Sequence, residues 1–107
     1  MNQKLSVFPF FDGVELECGA GWNEILHALG LSMAAQNPEA RAVQVKEKFG
    51  LLRIYAENLN REGVRNINSA EVASASVCER CGEPGKTRGT HWLATLCDEC
   101  GNKRRRP

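Results

Sequence analysis

Two copies of one five-residue unit, Cys78-Glu79-Arg80-Cys81-Gly82 and Cys97-Asp98-Glu99-Cys100-Gly101, leave fifteen residues between Cys81 and Cys97. That spacing is the CxxC…CxxC pattern of a structural metal site. Two residues between thiolates let one tight turn aim both sulfurs at a single ion. The glycine after each pair permits a left-handed backbone that turns amide N–H groups toward the sulfurs. Four sulfurs at about 2.3 Å fill a tetrahedral ion and leave no open position. Two disulfides are uncommon in a reducing compartment. A redox-active CxxC belongs at a strand-to-helix turn in a βαβ context, which this pattern lacks. An iron centre of the rubredoxin type uses the same ligands, and the tetrahedral-sulfur preference puts zinc ahead of it. The expected cofactor is one zinc ion per chain, held by Cys78, Cys81, Cys97 and Cys100.

Saturation with sulfur leaves no site for an activated water, so catalysis at the metal is not expected. His91, between the knuckles, reads as a loop residue, because four cysteines already stand at good spacing. His27 falls on an expected helix away from any second ligand and reads as structural. Cys18, the fifth cysteine, reads as a small apolar residue at a strand end. The sequence contains no GxSxG, HExxH or P-loop pattern, nor a supported carboxylate pair.

A chain of 107 residues suits one modest core. With 42% hydrophobic and 25% charged residues it has globular composition. No apolar run approaches a membrane span, and MNQKLSVFPFFDG lacks a secretory pattern. Cysteine usage favours a reducing compartment, so a cytoplasmic location is expected. The net charge of +1 is unevenly distributed: residues 1–77 hold seven Lys/Arg against nine Asp/Glu, and residues 78–107 seven against four. Zinc with four thiolates contributes a formal −2 there, so global charge does not call for nucleic acid.

Leu5 to Phe11, interrupted by Pro9, reads as an edge strand or extended lead-in. Val14, Leu16 and Cys18 alternate with Glu15 and Glu17 as a half-buried strand. Trp22, Ile25, Leu26, Leu29 and Met33 share one helical face, giving a helix from about Gly21 to Gln36, with a break tolerated at Gly30. From Ala42 to Glu57 the period becomes two. Val43 and Val45 lie on one run and Leu52, Ile54 and Ala56 on the other, making a hairpin that turns at Gly50. Asn58-Leu59-Asn60 offers an N-cap, and Val64, Ile67, Ala70, Val72, Ala73 and Val77 form a second helix face leading into Cys78. The expected fold is α+β: a body of two helices and a β-hairpin over residues 1–77, and a four-cysteine ribbon or knuckle module with a basic tail over 78–107, packed as one unit.

Further contact candidates are polar. Lys103, Arg104, Arg105 and Arg106 form one basic run, equally readable as a solvated tail. Lys86, Arg88 and Arg80 would widen that face, with Trp92 either a stacking ring or, more often in such modules, the hydrophobic plug of the knuckle pair. In the hairpin, Lys46, Lys48 and Arg53 surround Phe49, a contact patch if the ring is exposed and core if it folds back.

Gly21-Trp22, the block Val45-Lys46-Glu47-Lys48-Phe49-Gly50-Leu51-Leu52-Arg53-Ile54-Tyr55, then Ala70-Glu71 with Ser74, CERCGEPG and WLATLCDEC together resemble a group of small bacteriophage and prophage proteins. The resemblance spans about residues 19–101 and implies a genomic setting without a mechanism. More weakly, the chain is similar to TraR/DksA regulators of RNA polymerase, which also run a helix into a four-cysteine finger. It departs from them in having a hairpin in place of their coiled coil and no acidic DxxDxA motif. The expectation is a non-enzymatic, zinc-stabilised phage accessory protein that binds a host or phage macromolecule, a protein before a nucleic acid, with no membrane and no small-molecule substrate. Interference with host defence or transcription would suit that setting. The alternative is a nucleic-acid-binding zinc ribbon using its basic tail.

Overall fold

The computed structural model describes residues 5–105 of the chain. The extended lead-in expected at Leu5 to Phe11 is instead two 3-10 turns, Leu5–Val7 and Pro9–Phe11. Pro9 presets φ for the first position of its turn, where its missing N–H costs nothing. The turns drive Leu5, Phe8, Phe10 and Phe11 into the core. The strand expected around Val14 to Cys18 contracts to two residues, β1 (Leu16–Glu17). Another 3-10 turn, Ala20–Trp22, feeds helix α1 (Asn23–Gln36).

α1 runs unbroken through Gly30. A Cβ there would lie 2.5 Å from the Phe8 ring, so the glycine admits an aromatic against the helix backbone. The helix ends at Asn37, which is buried and used on both sides of its amide. Its Oδ1 accepts from the Asn60 N–H and its Nδ2 donates to the Asn58 carbonyl, so the exit of α1 is tied to the loop that starts the second helix.

β2 (Arg41–Lys48) and β3 (Leu51–Glu57) form the expected antiparallel hairpin, and β1 joins β2 in parallel to give the order β1-β2-β3. The register slips between Ala42 and Gln44, where two steps on β2 oppose one on β3. This bulge separates Val43 from Val45: Val45 is fully buried, Val43 is exposed, and Ala42 takes the inward place. Strict alternation could not have placed Ala42 and Val45, three apart, on the same face.

α2 (Arg61–Ser74) is capped as expected, the Asn60 side chain accepting from the Gly63 N–H. Only part of its apolar set is buried. Gly63, Ile67, Ala70 and Ser74 face inward, while Val64 and Val72 are exposed. The reason is where the helix lies, alongside the outer edge of β3. Ser74 Oγ accepts the Leu52 N–H at 3.0 Å, and Glu71 Oε2 accepts the Ile54 N–H at 3.0 Å. Two backbone donors that an edge strand would leave open are thus satisfied by helix side chains. Ser74→Ala strands the buried Leu52 N–H and is expected to cost about 1–3 kcal/mol, read as a lower midpoint in urea with an unchanged slope. A neutral result would show that the edge is satisfied otherwise.

Trp22, Leu26, Met33, Val45 and Leu52, all essentially inaccessible, lie at the centre of the body's core, each contributing about 1.5–3 kcal/mol by burial. Beyond α2, the chain folds back so that Val77 bridges Pro84, the Cys78 N–H donates to the Glu83 carbonyl, and the Gly85 N–H donates to the Ser76 carbonyl. A second hairpin follows, β4 (Lys86–Arg88) with β5 (Ala94–Leu96), and then α3 (Asp98–Arg105). The fold is α+β, as expected, with the four cysteines gathered in its C-terminal part.

Candidate metal centre

The sulfurs of Cys78, Cys81, Cys97 and Cys100 all lie within 4.8 Å of one another. Cys81 and Cys97 stand 3.6 Å apart. Metal–sulfur bonds of about 2.3 Å in a tetrahedron require sulfur separations of about 3.8 Å, whereas a disulfide requires about 2.05 Å. The donor set therefore fits one metal ion with four thiolate ligands. All five cysteines are free thiols.

The return closed by the Val77–Pro84 bridge positions Cys78 and Cys81, and the junction of β5 with α3 positions Cys97 and Cys100. Cys78 is fully buried at the start of the first return, and its sulfur is the focus of the site. Burial pushes its thiol up, but hydrogen bonds from the backbones of Cys81, Cys97 and Arg80 outweigh it and bring the thiol down to about 6. Cys81 and Cys100 are pushed the other way. Cys100 rises to about 12, chiefly through its contact with Cys97, with burial and the Cys78 and Cys81 sulfurs adding to it. Mutual repulsion opposes four thiolates at this spacing, and a bound cation offsets it.

The two glycines behave differently. Gly82 takes the left-handed conformation, φ +83°. Gly101 does not: it lies inside α3, where its missing side chain makes room for Arg88, whose Nη1 would stand 2.9 Å from a Cβ. Both amides close their turns by donating to carbonyl oxygens, Gly82 to Cys78 and Gly101 to Cys97. The Cys100 N–H also approaches a sulfur, 3.4 Å from Cys97 Sγ.

Arg88, expected as part of a contact face, is an internal brace. Its Nε donates to the Leu96 carbonyl at 3.0 Å and its Nη2 to Asp98 Oδ1 at 2.7 Å. That guanidinium holds the Asp98 carboxyl below its ordinary range. Arg53 has Glu71 Oε1 at 3.7 Å, and Lys103 has Glu99 Oε1 at 3.6 Å one helical turn away. Lys46, Lys48 and Lys86 make no ion pair among the described residues. Trp92 is not a plug. It is 76% exposed in the β4–β5 loop. Phe49 does not fold back either and is 68% exposed. Arg104 and Arg105 continue the backbone of α3, and Arg106 lies outside the described residues.

The sequence reading missed the groups that fasten the metal module to the body. The Glu79 carbonyl accepts the Gly21 N–H at 2.7 Å, and its carboxylate accepts the Gly19 N–H at 2.8 Å. Trp22 Nε1 donates to the Val77 carbonyl at 2.8 Å. At the other end of the joint, Thr95 Oγ1 donates to the Gly50 carbonyl at 2.6 Å, while its own carbonyl accepts the Glu79 N–H. The signal was present in Gly19-Ala20-Gly21. A Cβ on Gly21 would overlap the backbone of Cys78 and Glu79, so the run of small residues marks a backbone-to-backbone approach.

Cys18 lies beside this joint. Burial, then the charges of Glu79 and Glu47, push its thiol up to about 11. At pH 8 it is therefore almost wholly protonated and a poor nucleophile. In metal-loaded protein, Cys18 is expected to react with iodoacetamide at least about tenfold more slowly than free cysteine, read by mass spectrometry of the tryptic digest. Prompt labelling would contradict the buried-thiol reading.

No helix among the described residues is long and apolar enough to cross a membrane. No protein-family model, no curated protein and no solved structure matches the chain.

Proposed function

We propose that this chain is a non-enzymatic, zinc-stapled binding module, of phage or prophage origin, that engages a macromolecule in the host cytoplasm. What supports a fold-forming metal is the donor set: four thiolates saturate a tetrahedral ion and leave no position for substrate or activated water. Zinc suits such a set best. One equivalent of zinc in a colourless preparation is the expected elemental analysis, and a red, iron-bearing protein would replace zinc by iron.

One observation supports binding above the rest. Phe49 and Trp92, two large exposed rings, belong to two different hairpins that are fastened together at Gly50 and Thr95. A host or phage protein is the partner that the resemblance to phage proteins suggests. The Lys48 ammonium beside Phe49 favours a second reading, a nucleic acid. The reading as a binding module is tested by crosslinked capture from cells with tagged wild-type protein and Trp92→Ala. Expected is recovery of bound macromolecule by the wild type and its loss in the variant, with both proteins folded and metal-loaded. Equal recovery, or none by either, overturns it.

A further inference from the structure

The β2–β3 turn consists of Phe49 and Gly50, with φ of +55° and +85°. Both central residues have positive φ, as a type I′ turn requires, and Asn-Gly or Asp-Gly is the sequence that suits it. A bulky side chain at the first position is a genuine outlier. Burial of the ring would explain its presence, yet the ring is mostly in solvent. Lys48 Nζ stands 5.6 Å from the ring centre, on an exposed surface where such contacts are weak. A strained residue that the fold does not reward points to use outside the fold.

The strained turn is also held rigidly. Glu47 Oε2 accepts the Gly50 N–H at 2.7 Å, Thr95 Oγ1 donates to the Gly50 carbonyl, and a Cβ on Gly50 would stand 3.2 Å from the Ala94 backbone. Trp92 precedes Ala94 by two residues, so both exposed rings flank one braced joint between the body and the metal module. The Glu47 carboxylate is turned into the loop, and Lys48 beside the ring makes no ion pair among the described residues. Flat faces next to an unneutralised cation match unstacked bases joined by phosphates. A duplex hides its base faces, so it offers these rings nothing to stack on.

We infer that Phe49, with Lys48 beside it, and Trp92 form a stacking site for single-stranded nucleic acid. The inference rests on the reading of the chain as a binding module and names its ligand.

The test is fluorescence anisotropy of full-length, zinc-loaded protein with 20-nucleotide oligo(dT) and oligo(rU), and with a 20-base-pair duplex as competitor. Binding is expected to prefer the single strands and to weaken steeply between low and moderate salt. Phe49→Asn and Trp92→Ala should each weaken it about tenfold. Phe49→Asn should melt no lower than wild type, because asparagine accepts the left-handed turn, so lost binding cannot be ascribed to unfolding. Lys48→Ala should reduce the salt dependence. A full-length variant carrying Lys103→Ala, Arg104→Ala, Arg105→Ala and Arg106→Ala should keep the tenfold effect of Phe49→Asn. Absence of binding at low salt overturns the inference, as does binding indifferent to Phe49→Asn and abolished in the four-alanine variant. If oligonucleotides fail but Trp92-dependent capture recovers a protein, the nucleic-acid inference falls and the binding module stands. If capture is also unaffected by Trp92→Ala, both fall.

Discussion

Stripping the metal with a strong chelator, or replacing Cys97 by serine, is expected to abolish protection of the C-terminal module while the core of the body persists. Structural zinc in small four-ligand modules binds with an apparent free energy of about 10–16 kcal/mol at pH 7, and that energy is folding energy. Without it, nothing of comparable size holds Cys78 buried beside three other sulfurs, and β4 and β5 are three residues each. The body differs, because Leu26, Met33, Val45, Leu52, Ile54 and Ile67 form a cluster to which the metal ligands do not belong. Hydrogen exchange separates the two. The amides of Glu79, Gly82 and Gly101 should exchange freely after chelation, and those of Leu52 and Ile54 should stay slow. Gly19 and Gly21 should join the first group, since their partners are the carboxylate and carbonyl of Glu79. Unchanged protection in the module would show that metal is not its staple. Complete loss of helical signal would show that body and module share one core.

The second large effect is expected at Trp22. Its side chain is fully buried, it stands where the 3-10 turn hands over to α1, and its indole N–H donates to the carbonyl of the residue before Cys78. Trp22→Ala should cost about 3–5 kcal/mol, a large share of the about 5–15 kcal/mol that holds a domain together. The truncation leaves a cavity in the core and an unpaired Val77 carbonyl at the joint. Trp22→Phe retains much of the ring volume and loses the hydrogen bond, so it should cost less than half as much. Guanidinium unfolding with zinc in excess reads both. A loss under about 1 kcal/mol for the alanine variant would remove Trp22 from this role.

The surface outside these two sites is organised by the same joint. Gly50 is the turn residue expected from the sequence, yet its larger use is to let the hairpin tip approach Ala94 and Thr87 of the metal module. That approach sets the position of Phe49. The metal therefore has a consequence beyond its own module, because Thr95, whose hydroxyl holds the Gly50 carbonyl, lies one residue from Leu96 and two from Cys97.

The sequence by itself determined the features that depend on local spacing. Two CxxCG units state their ligand set without help from the fold, because two intervening residues suffice to aim two sulfurs at one point. Helical periodicity in α1, the Asn60 cap and the hairpin turn at Gly50 are likewise local, and each stands in the structure where the pattern placed it, whereas the period-two run through Val43 and Val45 is broken by the bulge. Tertiary structure decided whatever depended on which neighbour a residue meets. The bulge at Val43 exists because Ala42 and Val45 must both face the core. The 3-10 turns before β1 arise because three phenylalanines and Leu5 find burial against α1 and β2. Arg88 became a brace because Gly101 left room for it, a partnership between a strand and a helix that no local pattern displays. The metal site was thus written in four cysteines, while its coupling to the body was decided by Glu79 meeting Gly19 and Gly21 across some sixty positions of sequence. Such a meeting is a consequence of packing, and spacing carries no signal of it.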